Sequence, residues 1–207
     1  MALFYLNGFL KYIFTVLLIQ LNLTRTDGVI LDRQQLKAWN PTFKTDSTIY
    51  LFTRQIHLIL DDSFEDLFQL KELFLHKNQL ISLGSSQIFS SLLNLTKLDL
   101  GSNQLNSLHP LTFKSLTKLD SLSLYFNHLD ENSMVSNVFE SLLSLKILDL
   151  SFNKFRFFPL YLFDKLVNLN ILYLHANQLI SLETSLFASL INLTNLHLEL
   201  NNLTRIE

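Results

Sequence analysis

The sequence predicts an α/β solenoid: stacked coils with a parallel concave sheet of about seven short strands and an irregular or short-helical outer side. Three observations predict it. The pattern L-x-x-L-x-L-x-x-N-x-L recurs six times, at Leu70–Leu80, Leu95–Leu105, Leu119–Leu129, Leu145–Phe155, Leu169–Leu179 and Leu193–Leu203. Its asparagines, Asn78, Asn103, Asn127, Asn153, Asn177 and Asn201, are spaced by 25, 24, 26, 24 and 24 residues. A second column, Phe64, Phe89, Phe113, Phe139, Phe163 and Phe187, keeps the same phase. Self-similarity at such a period is the signature of a repeat architecture.

Each part of the unit has a physical reason. The central x-L-x-L-x reads as a strand, with leucines such as Leu73 and Leu75 pointing inward and Phe74 and His76 outward. One coil cannot bury its own leucines, so neighbours must stack and share a core. The asparagine falls where the chain turns inward, and its amide can satisfy backbone groups that the strand ladder leaves free. A buried asparagine without partners is destabilising, so six in phase read as a structural ladder. The phenylalanines, each opening F-x-x-L-x-x-L, read as a spine beneath the outer wall. Extra residues in Ser82–Ile88 and Asp130–Val138 account for the longer spacings and belong in loops.

These motifs resemble the leucine-rich repeat family, in its 24-residue "typical" class, and the resemblance runs from about Ser47 to the last residue. A seventh, degenerate unit keeps Ile49, Leu51, Ile56, Ile59 and Phe64 but carries Arg54 in place of the asparagine. The resemblance implies a horseshoe and a role in protein or glycan recognition without catalysis. The class is common in extracellular proteins such as Toll-type receptors and Slit-like proteins, which points to a secreted or cell-surface chain. Extracellular members usually close their ends with cysteine-bonded caps. This chain has no cysteine and stops part-way through a repeat, which reads as a fragment, a truncated product or an open-ended protein.

Three regions follow: residues 1–28 as a signal peptide, 29–46 as an N-terminal capping segment without cysteines, and 47–207 as about seven repeats. The first region is apolar, with Lys11 its one charge before Arg25, and an apolar centre near Ile13–Leu21. Removal after Thr26 or Gly28, retention as a membrane anchor, and a capping helix are the readings open to it. In the second region Trp39 and Phe43 are the expected plugs against the first leucine layer, with the segment covering the N-terminal edge of the first parallel strand pair.

Sixteen basic and eighteen acidic residues give a net charge of -2, which offers no reason to expect nucleic acid. Asn94, Asn192 and Asn202 stand in N-x-[ST] sequons and are candidate glycosylation sites, as is Asn22 if it is retained. No phosphate loop, nucleophile elbow or H-E-x-x-H occurs, so no enzyme, cofactor or metal is expected. His175, His197 and Glu199 lie close in the repeat register, but such groupings read more simply as cross-strand contacts.

Function then rests on the outward strand positions. Tyr125, Phe126, Asp149, Phe152, Tyr173 and His175 gather on three neighbouring coils and form the candidate ligand-binding face. Aromatic clusters flanked by charge suit a protein partner. Phe126 and Phe152 can also be read as rings tucked toward the loop side, since large apolar residues are usually buried. A second group, Tyr50, Phe52, Phe74 and His76, lies toward the N-terminus, open or covered by the preceding segment. The expected function is binding of a protein ligand or receptor through the concave face. The alternative is an intracellular or membrane-anchored scaffold, with the membrane involved through a retained N-terminal segment or a larger receptor.

Overall fold

The structure, a computed structural model, describes residues 28–135 and 137–206. In chain order the strands are β1 (Val29–Leu31), β2 (Thr48–Tyr50), β3 (Ile56–Ile59), β4 (Glu72–Phe74), β5 (Lys97–Asp99), β6 (Ser121–Ser123), β7 (Ile147–Asp149), β8 (Ile171–Tyr173), β9 (Ser181–Leu182), β10 (Asn195–His197) and β11 (Arg205–Ile206). One helix, α1 (Arg33–Trp39), follows β1, and a 3-10 turn spans Thr184–Phe187. Among the described residues, no helix is long and apolar enough to cross a membrane.

A parallel sheet of seven strands, ordered β10-β8-β7-β6-β5-β4-β2, forms one wall. Pairing runs in register from coil to coil, so Leu73, Leu98, Leu122, Leu148 and Leu172 align. These leucines and their partners two residues on (Leu75, Leu100, Leu124, Leu150 and Leu174) are fully buried. Burial of one such side chain is worth roughly 1.5–3 kcal/mol, and it is reached only because the next coil supplies the other half of its surroundings.

The asparagines tie one coil to the next. Asn127 Oδ1 accepts the N–H of Leu105 (2.9 Å), while its Nδ2 donates to the carbonyls of Leu100 (3.1 Å) and Leu124 (3.0 Å). Asn103 bonds Leu80, Leu75 and Leu100 in the same way, and Asn153 bonds Leu129, Leu124 and Leu150. Asn177 and Asn201 repeat the set one and two coils further on. At the degenerate coil Asn78 does more: its Oδ1 accepts from both Arg54 N (3.0 Å) and Ile56 N (3.1 Å). The loss of an asparagine at position 54 therefore leaves those two amides satisfied from the next coil.

On the far side of the core, Phe64, Phe89, Phe113 and Phe139 stack at 6.1, 6.5 and 6.2 Å between ring centroids. Phe163 stacks on Phe187 at 6.4 Å and meets Phe158 at 5.4 Å. Both longer spacings are absorbed in turns. Gly84, in the smaller insertion, adopts φ +68°, a conformation glycine takes without strain. In the larger one, the Asp130 carboxylate and the buried Ser133 hydroxyl close a local turn.

The segment before the repeats packs on the first coil, on the side of β3. Its strand β1 adds in parallel to β3, with Ile30 opposite Leu58 and Leu31 opposite Ile59. It does not line the concave sheet, whose terminal strand is β2. Helix α1 starts at Asp32, whose carboxylate accepts the Gln35 N–H at 2.6 Å, a side-chain cap of the usual kind. Leu31, Leu36 and Phe43 are buried against the first coil, and Trp39 is half-buried with the Arg54 guanidinium 5.0 Å over its ring. The cover is thus laid across the coil beside β3, which leaves the outward groups of β2 in the open. Residues 1–27 of the expected signal peptide, with the Asn22 sequon, lie outside the described residues.

Candidate functional site on the concave wall

The strand register sets which side chains meet. Phe74, Asp99, Ser123, Asp149, Tyr173 and His197 stand opposite one another on successive strands, forming one outward row. Three residues further along each coil the chain turns through a left-handed residue. Thr53, Lys77, Ser102, Phe126, Phe152, Ala176 and Leu200 all have φ between 51° and 57°. This column is a backbone feature, and it decides where Phe126 and Phe152 go. Both rings are out in solvent, at 60% and 44% exposure, and they lie 6.0 Å apart. The alternative that these two rings tuck into the loop side is therefore not what the structure shows.

The other expected residues are placed less uniformly. Tyr125, Asp149, Tyr173 and His175 are each half-buried. His175 presents its ring edge-on to Phe152 (5.3 Å) and to Tyr173 (6.0 Å), joining Phe126, Phe152, His175 and Tyr173 into one continuous aromatic surface. Its Nδ1 is buried without a hydrogen-bond partner. Asp149 has part of its capacity committed, because its Oδ1 accepts from the N–H (2.9 Å) and hydroxyl of Ser151. It braces the turn as well as flanking the aromatics.

Two residues belong with this surface that were absent from the expected set. His197 stacks face to face on Tyr173 at 4.6 Å, and its Nδ1 lies 3.3 Å from Glu199 Oε1. The Glu199 carboxyl is held below its ordinary range, first by its own backbone amide and then by His197 and His175. The signal was present in the sequence: His197 is one coil along from Tyr173 in the same row. Among the described residues, no cluster of three or more His, Cys, Asp or Glu side chains could hold a metal ion.

A second aromatic group sits at the other end of the wall. Tyr50 stacks on Phe74 at 5.1 Å and Phe52 on His76 at 4.9 Å, with Lys97 Nζ 5.1 Å over the Phe74 ring. Tyr50 and Phe52 are exposed, so the preceding segment does not cover them. Asp99 Oδ2 lies 3.0 Å from His76 Nδ1, at ion-pair distance though off the line of a hydrogen bond.

The sequon asparagines Asn94, Asn192 and Asn202 lie outside the strands. Asn94 and Asn192 each donate Nδ2 to a carbonyl of the preceding coil, Phe68 and Val167 respectively, both at 2.8 Å. Asn94 Oδ1 also accepts from Lys118 Nζ. Asn202 is exposed.

A sheet of parallel strands, one per coil, with an asparagine ladder at its edge and a phenylalanine spine behind it, defines a repeat solenoid. The profile described as "Leucine rich repeat" matches residues 69–129, and the one described as "BspA type Leucine rich repeat region (6 copies)" matches residues 130–207. The chain is a leucine-rich repeat protein. Human Toll-like receptor 5 is 40% identical over 91 residues, which is 40% of this chain and 11% of the receptor. Among solved structures, the TLR13–ssRNA13 complex superposes with a TM-score of 0.74 at 27% identity, over 84% of this chain and 24% of that one. The Toll–Spatzle complex, described as a hub in Drosophila development and innate immunity, gives 0.59 at 27% identity over 76% and 23%. The chain thus spans well under half the length of each of these three.

Proposed function

We propose that this chain is an extracellular recognition module that binds a protein ligand through its concave wall. Tyr125, Phe126, Asp149, Phe152, Tyr173 and His175 form the contact surface, with His197 extending it. The observation that carries the reading is the exposure of Phe126 and Phe152 side by side on that wall. Exposed aromatics grouped on a rigid concave surface are what protein-binding hot spots consist of. The receptor likeness supports it, and so does the solution of Toll in a complex with Spatzle. Under the same reading residues 1–28 are a removed signal peptide, Asn94, Asn192 and Asn202 are glycosylated, and the protein is secreted or displayed at the cell surface. The role is recognition without catalysis.

The TLR13 structure contains single-stranded RNA. On the present wall, Lys71, Lys77, Lys97 and Lys146 are offset by Glu72, Asp99, Asp120, Asp149 and Glu199, and Lys146 is already paired with Asp120 at 3.1 Å. Such balance favours a protein surface over a polyanion.

The test is photo-crosslinking on the full chain expressed in secreting cells, with a benzoylphenylalanine at position 126 or, for comparison, at position 143 outside the sheet. The proposal expects a discrete adduct from position 126 that protease removes and ribonuclease does not. An adduct sensitive to ribonuclease, or equal labelling from position 143, overturns it.

A further inference from the structure

The second outward column of the wall reads Phe52, His76, Gly101, Tyr125, Ser151, His175 and Glu199, and one member has no side chain. Gly101 is buried, and its φ lies outside the left-handed region, so its backbone conformation is open to other residues. The constraint is steric. A Cβ at this position would lie 1.9 Å from Tyr125 Cε1 and 2.1 Å from Cδ1. One edge of the Tyr125 ring therefore occupies the space a side chain at 101 would take. Both backbones are pinned: Gly101 O accepts from Lys77 N (3.0 Å) and Tyr125 O from Ser102 N (2.8 Å). With the coils fixed at this spacing, a methyl group at 101 displaces the ring and not the main chain.

We infer that Gly101 is a positioning residue for the binding surface: it seats Tyr125 against the concave wall before any partner arrives. A long side chain ordered on binding loses rotamer freedom, and one already seated does not. The seat also ends the row of large outward groups, separating the aromatic group around Phe74 from that around Phe152 with Asp99, Gly101, Ser102 and Ser123. The consequence for binding rests on the function proposed above; the seating of the ring does not.

The experiment measures nitration by tetranitromethane, mapped by mass spectrometry, on the free protein and on Gly101→Ala. Tyr50, which is 58% exposed, and half-buried Tyr173 serve as internal references. The inference expects the Tyr125 rate to rise severalfold in Gly101→Ala, toward that of Tyr50, with Tyr173 unchanged. Unchanged Tyr125 reactivity overturns it. Thermal unfolding supplies a second readout that survives poor folding of one variant: Gly101→Ala lowers Tm in the native background and has little effect beside Tyr125→Ala, whereas equal effects in both contradict the seat. The adduct formed through position 126 should fall by about two- to tenfold in Gly101→Ala, the range for ordering one side chain. An undiminished adduct refutes the role in binding, and absence of any adduct in the parent protein refutes the proposed function while the nitration result still decides the seat.

Discussion

The rings of Phe126 and Phe152 lie 6.0 Å apart on consecutive coils, each borne by a residue in the left-handed backbone conformation. Asparagine and glycine take that conformation readily, whereas an aromatic residue is strained there by roughly 1 kcal/mol or more. Both rings are exposed, so burial offsets only part of that loss.

Phe126→Asn and Phe152→Asn should therefore raise stability, by on the order of 1 kcal/mol each, while weakening the proposed contact surface. Urea unfolding at equilibrium reads the first effect and crosslink yield the second. A fall in stability for both variants would mean that the rings support the fold, and the wall would lose its principal evidence as a binding surface.

The asparagine ladder makes the opposite prediction. Asn127→Ala leaves the buried N–H of Leu105 without this partner, while the carbonyls of Leu100 and Leu124 lose one of two amide donors and keep Asn103 and Asn153 respectively. At about 1–3 kcal/mol for the one group left unsatisfied and about 0.5–1.5 kcal/mol for each of the two other bonds, the loss should reach roughly 2 kcal/mol or more. Asn201→Ala should lose less, since its bonds are only partly buried. Equal denaturation midpoints for Asn127→Ala and the parent would contradict the ladder as a structural support.

The larger insertion predicts a pH effect. The Asp130 carboxyl is held below its ordinary value, chiefly by the Ser133 hydroxyl and further by the N–H groups of Asn132 and Ser133, against an opposing effect of burial. A carboxylate with a depressed folded-state pKa stabilises the fold above its unfolded value and loses that contribution as pH falls through the folded value. Ser133→Ala should lower stability at neutral pH, and the gap from the parent should narrow as pH drops below about 4. A gap that widens on acidification would have the wrong sign.

The strands, the ladder and the phenylalanine spine were legible in the sequence because each coil must bury its leucines against its neighbours, and that need repeats with the coil. Where the repeat fails, so did the reading. Val29–Leu31 is three residues long with no alternation to show its face, and its pairing with Ile56–Ile59 depends on the whole first coil. Helix α1 did leave a trace, Asp32 three residues before Gln35, which is the spacing of a helix-capping pair. On the wall, the row containing Tyr173 could be read from alternation alone. The exposure of Phe126 and Phe152 could not, because it follows from a backbone turn shared by residues as different as Thr53, Lys77 and Leu200. The seat of Tyr125 over Gly101 is likewise a relation between neighbouring coils that neither residue announces by itself.

The most direct test of the account is the affinity of the protein partner, once identified from the position 126 adduct, for the parent chain and for the Tyr125→Ala/Tyr173→Ala variant. The account predicts loss of binding by about a hundredfold or more, as for truncation of two hot-spot aromatics, with an unchanged circular dichroism spectrum. Unchanged affinity in a folded double variant would contradict it.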